Sequence, residues 1–431
     1  MKDSGIEWIG EIPEHWKILK FLSGLEKKEK RNEDHIDRKM LSVSQYLGII
    51  EKKYESEELI RTKEESQRYF VVEPGDLVVN VMWLQYRGLG VSSKVGIVSP
   101  DYQVYKINSR IIQPDFLHHL VRSDMYLNEY PKHFRGIRPN SSRISQYDFM
   151  RLPLLLPPTL EEQKQIADFL NYKTKQIDDN ISKSERLIEC FKEERQALVN
   201  QVVTKGLDPT VPMKDSGISL TPSIPEHWKV SRLKYVGKEP LIYGANESGE
   251  LTPNGVRYIR ITDIDSNGKL KNDSMLYLDK KLSIPFLLKS GDVLLARSGG
   301  TVGKSFLYDD AEAACFAGYL IRFRADEHKI LPRFFYYFTQ SSAYWDFIGL
   351  VTIQATIQNV SAEKYANLTI PLPPKEEQQK IIDFLNPKTK QTDYLIQITE
   401  TQIKKLQEYR QTLISNVVTG KIDTRQEILA Q

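Results

Sequence analysis

Cysteine is nearly absent: Cys190 and Cys315 are the two in 431 residues, 125 positions apart. With no C-x-x-C pair they support neither a disulfide framework nor a cysteine zinc site, and both are read as plain core or helix residues. No apolar run reaches the roughly eighteen residues of a membrane span, and the N-terminus is charged where a signal peptide would be apolar, so a cytoplasmic chain with no membrane partner is expected. Sixty basic against 57 acidic residues leave a net charge of +3, too balanced to announce a polyanion partner, so any nucleic-acid argument must be local.

Motifs for catalysis are also missing. The seven histidines form no metal spacing, and no nucleophile elbow, adenine-methyltransferase N-P-P-aromatic motif or glycine-rich cofactor loop occurs. ARSGGTVGKS (residues 296–305) is close to a phosphate-binding loop, but Ser298 stands where its first glycine belongs, and FLYDDAEAACF after it does not open a helix. No catalytic residue and no metal ligand is assigned.

What is present is duplication, which decides the fold before any local reading. MKDSGIEWIGEIPEHWK (residues 1–17) returns as MKDSGISLTPSIPEHWK (213–229), with 12 of 17 positions identical. EEQKQIADFLNYKTKQID from Glu161 returns as EEQQKIIDFLNPKTKQTD from Glu376, and the register of 215 runs on to Asp208 and Asp423. Between these anchors only skeletal features recur: PGDLVVN against SGDVLLA, QPDFLHHLVRS against LPRFFYYFTQS, LPLLLPP against LTIPLPP.

Both shared segments read as long helices. Thr159 with Glu162 makes a capping box, and residues 160–203 hold no proline or glycine. Ile177, Ile181, Ser184, Ile188, Phe191, Leu198 and Val202 follow a 4-3-4-3 rhythm broken by Arg195. The second copy gives Thr392, Ile396, Thr399, Ile403, Leu406, Leu413 and Val417, broken by Arg410. This is a coiled-coil seam. Each helix is roughly 65 Å long, too long for a compact block of about 160 residues to span, so the helices are expected to be antiparallel with an approximate twofold axis. The expected class is α+β: two globular α/β domains separated by two long antiparallel coiled-coil helices. The expected boundaries are 1–158 for the first domain, 159–208 for the central helix, 209–373 for the second domain, and 374–431 for the C-terminal helix and tail. Two near-identical surfaces would suit two copies of one partner; alternatively, Trp16 and Trp228 simply anchor each domain to a helix end.

The combination of IPEHWK twice, GDLVV and GDVLL, LPPTLEEQKQIADFL and LPPKEEQQKIIDFL, then KTKQID and KTKQTD, resembles the specificity subunit of type I restriction-modification systems over essentially the whole chain. The resemblance implies two target-recognition domains that select a bipartite, asymmetric duplex DNA sequence. It also implies two methyltransferase subunits that modify adenine and, where present, two motor-nuclease subunits that cut. S-adenosylmethionine, ATP and magnesium are implied only for those partners, and no cofactor for this chain. A non-catalytic adaptor that gathers two partners without touching DNA is the competing reading.

The domains offer local candidates for DNA contact. KHFRGIRPNSSRISQYDFMR (132–151) holds five Lys or Arg against one Asp; Arg135, Arg138, Asn140, Ser141, Arg143 and Gln146 could meet phosphates and base edges, or form a solvated turn. After the strand DLVVNVM, WLQYRGLGVSSK offers Arg87, Ser92, Ser93 and Lys94. In the second domain the counterparts are Arg297, Ser298, Thr301 and Lys304, with Gln354, Thr356, Gln358 and Asn359 able to hydrogen-bond bases.

Overall fold

The computed structural model describes residues 1–33, 37–54, 66–136, 142–218, 221–265, 268, 270–310, 312–353 and 359–424. The chain divides into two compact units, Met1–Ser184 with Thr401–Gln431, and Glu185–Glu400. Each unit therefore holds the first half of one long helix and the last half of the other. The helices run over Leu160–Lys205 and Lys375–Val418.

In unit 1 the strands Leu25–Lys27, Tyr102–Ile107, Asp76–Asn80 and Leu89–Val91 form, in that order, an antiparallel sheet. Unit 2 repeats it with Ile242–Tyr243, Leu320–Phe323, Asp292–Ala296 and Ser305–Tyr308. The recurring Gly-Asp pair starts the central strand of each. Gly75 and Gly291 take φ of 91° and 92°, a left-handed turn that glycine adopts without a Cβ penalty. The aspartate that follows is buried and closes the turn: Asp76 accepts the Glu73 amide and Asp292 the Lys289 amide, each at 2.8 Å. Each burial is neutralised by a cation, Lys28 Nζ at 2.6 Å for Asp76 and a bidentate Arg324 guanidinium at 2.7 and 2.6 Å for Asp292.

The strands that follow each duplicated PEHW pair with those of LPLLLPP and LTIPLPP. Lys17–Lys20 pairs antiparallel with Pro153–Leu156, and Lys229–Arg232 with Thr369–Leu372, so each ladder joins the beginning of a globular domain to its end just before the long helix. Their side chains feed cores that also take in helix residues: Trp16 and Leu154 lie with Ile177, Leu413 and Val417 in unit 1, and Trp228 and Ile370 with Val202, Ile381 and Leu385 in unit 2.

Within each unit the start of one helix lies against the end of the other, an antiparallel pairing. The arginines that interrupt the hydrophobic seam fix its register. Arg410 reaches Asp178 at 2.9 and 3.1 Å in unit 1, and Arg195 reaches Asp393 at 3.0 Å in unit 2. In each unit the aspartate lies in the first half of its helix and the arginine in the last half of the other, so the two helix segments run antiparallel there. The capping box is only half formed: Thr159 Oγ1 accepts the Glu162 amide at 3.2 Å, but the Glu162 carboxylate turns away to bond Trp16 and His15. No described helix is long and apolar enough to cross a membrane.

Candidate nucleic-acid interface

The frame that carries each candidate surface is closely similar in the two units. In unit 1 Trp16 is buried and its Nε1 donates to Glu162 Oε1 at 2.9 Å, which also meets His15 Nε2 at 3.0 Å. In unit 2 His227 meets Glu377 at 2.7 Å beside the buried Trp228. The end of the other helix closes on each tryptophan through a glycine: a Cβ on Gly420 would lie 2.3 Å from Pro13 and 3.2 Å from Trp16, and one on Gly206 3.3 Å from Trp228. Both indoles are buried, Trp16 at 2% and Trp228 at 0% exposure, between the start of a domain and the helix ends.

A glutamine that sequence reasoning passed over completes the frame. Gln163 Oε1 accepts the Gln113 amide at 2.8 Å while its Nε2 donates to Ile111 and Pro157 carbonyls at 3.0 and 3.1 Å. Gln378 repeats all three, to Leu331, Lys329 and Pro373. Gln113 and Leu331 are the residues that precede the first turn of the helices Pro114–Val121 and Pro332–Phe338, so each glutamine pins a domain helix to a long helix. The EQ within each repeat was its only sequence signal.

On this frame the candidates separate. Arg87 sits in the left-handed region at φ 57° and donates to Asp124 Oδ1 at 2.6 Å; it closes the turn Leu84–Tyr86 and is largely turned inward. Ser92 is 2% exposed and its hydroxyl is engaged with the Lys94 main chain, a fold contact rather than a free donor. Ser93 and Lys94 are exposed, with Lys94 3.4 Å from Glu51. Arg135 and Arg143 are cross-strand partners in the ribbon of Phe134–Arg135 and Arg143–Ile144. Like charges directly opposite repel. Asp148 relieves Arg135 at 3.0 Å, and a hydrogen bond from Ser145 holds that carboxyl below its usual range. Arg143 is exposed with no partner among the described residues. Gln146 opens the helix Gln146–Arg151, half-buried. Arg138, Asn140 and Ser141 lie outside the described residues, as do Gln354, Thr356 and Gln358.

In unit 2 the structure brings together Arg297, Ser298 and Asn359. Ser298 bridges Asn359 in the main chain, and Arg297 Nε lies 3.4 Å from Asn359 Oδ1. Tyr243, which carried no sequence signal, places its ring 4.6 Å below the Arg297 guanidinium, holding the planar fork in one orientation. Thr301 points back to the Ser298 carbonyl. Lys304 is elsewhere, in a cleft of about 420 Å³ with Arg195, Gln340, Trp345 and Asp393.

Comparison with known proteins follows the same lines. The family of the type I restriction modification DNA specificity domain matches residues 225–408. The chain is 28% identical over 286 residues to the type I restriction enzyme MjaVIII specificity subunit of Methanocaldococcus jannaschii, covering 64% of this chain and 63% of that relative. It is 25% identical over 440 residues to the putative MjaX specificity subunit of the same organism, covering 96% of this chain and 95% of the other. Over nearly its whole length the chain is thus similar to the specificity subunits of type I restriction enzymes. A solved structure described by complex assembly and conformational transition of the type I R-M system shares the fold, with a TM-score of 0.71 at 16% identity over 96% of this chain and 100% of that one. In such systems the specificity subunit is the targeting component, which is consistent with one duplicated frame carrying two unlike surfaces.

Proposed function

We propose that this specificity subunit reads an asymmetric bipartite duplex DNA target, one half per unit, and performs no catalysis itself. The carrying observation is the contrast between parts: the His15–Glu162 and His227–Glu377 contacts, Gln163 and Gln378, and the Asp178–Arg410 and Asp393–Arg195 pairs repeat residue for residue, while the exposed loops share no pattern. Two matched frames give the chain two equivalent outer faces along its long helices, which suits two methyltransferase subunits per chain; unlike loops read unlike half-sites. Arg297, held by Tyr243 and Asn359, supplies the bidentate donor that suits a guanine edge, and Arg135 with Arg143 supply charge for phosphates or bases.

Methylation of adenine, and cutting where a motor-nuclease is present, fall to partners that use S-adenosylmethionine, ATP and magnesium. The test is to sequence modified adenines in cells carrying this chain and its methyltransferase. One bipartite, non-palindromic motif supports the reading. Duplex binding with no salt dependence and no motif in the full complex would favour the adaptor that gathers partners without DNA.

A further inference from the structure

Unit 1 carries a cleft of about 380 Å³ lined by Gln45, Asn80, Trp83, Tyr86 and Tyr102, within the span of roughly 300–1,000 Å³ that small ligands occupy. Two loops make its walls. One is the hairpin tip between Leu41–Ser44 and Gly48–Glu51, which bears Gln45. The other is the turn from Asn80 to Gly88, where Asn80 and Gly88 close the neck through an amide-to-carbonyl bond of 2.7 Å and Gly88 returns so close to Trp83 that a Cβ would lie 2.5 Å from its carbonyl oxygen. Arg122, buried and with no carboxylate partner among the described residues, ties the loops together. Its guanidinium donates to the Ser44 and Gln45 carbonyls on one wall and to the Arg87 and Leu89 carbonyls on the other. Burial lowers its pKa to about 10, still cationic at neutral pH. The cleft is thus a built feature, fixed from beneath by a desolvated cation that four carbonyls satisfy.

Its lining is unusual for a protein surface. Trp83 and Tyr86 are 56% and 51% exposed, with ring centres 5.5 Å apart and planes at 57°, so their faces are not used by the core. Above them, the Gln45 amide and the Asn80 amide nitrogen have no partner among the described residues; Asn80 Oδ1 accepts the Met82 amide at 3.2 Å. The rim is basic. The ribbon carrying Arg135 and Arg143 joins this turn directly, Ile144 donating to the Val81 carbonyl at 3.4 Å. Aromatic faces, amide edges and adjoining arginines are the three groups that bind a nucleotide: stacking, base-edge hydrogen bonds and phosphate charge. A paired base shows a protein only its edge in a groove. Aromatic walls can therefore be used only by a base whose face is free.

Resting on the DNA-reading role, we propose that this cleft takes one nucleobase turned out of the duplex, stacked on the Trp83 indole with the tilted Tyr86 ring against its edge, and hydrogen-bonded by Gln45 and Asn80. Unit 1 would then read one position of its half-site by extrusion and the rest by groove contact.

The test uses the full chain and duplexes containing the mapped half-site of unit 1, with a mismatch placed at each position in turn, and compares each with its paired parent. A mismatch has already lost most of the unpairing penalty, so at one position binding should tighten by about tenfold or more. Trp83→Ala should reduce that mismatch-to-paired ratio to near one, and Trp83→Phe should restore most of it. Salt-dependent binding to paired duplex with no position that gains from a mismatch overturns the cleft while leaving DNA reading intact. Equal loss on paired and mismatched duplexes in Trp83→Ala also overturns it, placing the indole against the backbone. No salt-dependent duplex binding at all would remove the DNA-reading role and the cleft with it.

Discussion

Units 1 and 2 solve the same mechanical problem with matched residues and present different chemistry on top. Below, a glutamate and a buried glutamine from each long helix hold the domain, and an Arg–Asp pair crosses the seam. Above, unit 1 shows an aromatic cleft beside two opposed arginines, and unit 2 shows a single arginine laid on Tyr243. Even the frame has points of divergence. His119 bonds Asn171 at 2.8 Å in unit 1, where Tyr337 bonds Asn386 at 2.8 Å in unit 2, and Trp16 has a partner for its indole N–H that Trp228 lacks among the described residues. Conserved support with variable display is what lets one scaffold carry two independent specificities.

The largest expected effect breaks the frame in one unit only. Gln163→Ala strands the Gln113 amide and the Ile111 and Pro157 carbonyls, and removing such buried bonds should destabilise unit 1 by about 3 kcal/mol or more. Gln378→Ala should do the same to unit 2. Hydrogen exchange read separately on each unit checks it: loss spread evenly over both would mean that the glutamines do not act locally.

The His119 and Tyr337 contrast predicts unequal acid sensitivity. Burial pushes the His119 pKa down to about 4, below the unfolded value of about 6.5. The folded unit therefore binds fewer protons than the unfolded chain in this window. The stabilisation is fully present above pH 6.5 and is lost as the pH falls toward 4, by up to about 3 kcal/mol. His119→Tyr, which copies the solution of unit 2, should weaken that dependence in unit 1 denaturation curves, with the remainder owed to buried His118, whose pKa burial also pushes down; an unchanged profile would assign the acid sensitivity to other groups.

Display residues should alter recognition with little change in stability. Arg297→Ala should relax one base position of the unit 2 half-site by about 1–3 kcal/mol of discrimination if the contact is bidentate to guanine, whereas a phosphate contact would weaken all duplexes alike and lower the salt slope by about one. Quantitative methylation of variant sites separates the two. The smallest effect belongs to the seam: Arg410 and Asp178 are partly exposed, so a double-mutant cycle should give only about 0.5–1 kcal/mol. A matching value for Arg195 and Asp393 would sharpen the equivalence of the units.

Much of this frame was legible because it is written twice. Two long helices, expected within 159–208 and 374–431, and the antiparallel sense of their seam follow from periodicity and length, and the interrupting arginines find their purpose once Asp178 and Asp393 face them. The display was less legible. Arg87 carries a formal charge in a glycine-rich turn, which suggests a ligand, yet Asp124 lies 37 residues away in sequence and captures it through the tertiary fold. Ser92 is buried against the main chain of Lys94 two residues on, and Lys304 is exposed in a cleft apart from Arg297, placements that the sequence pattern does not mark. Tyr243, Trp83 and Tyr86 have no spacing or charge pattern to mark them, because exposure of an aromatic ring is decided by turn geometry rather than by sequence neighbours.

The most direct test of independent reading on a shared frame is to replace residues 18–150 with the equivalent domain of another family member, leaving the PEHWK segments and both long helices intact, and to map methylated adenines across a genome. The account predicts a motif in which one half changes completely and the other half is retained base for base. A motif in which both halves change together would contradict it.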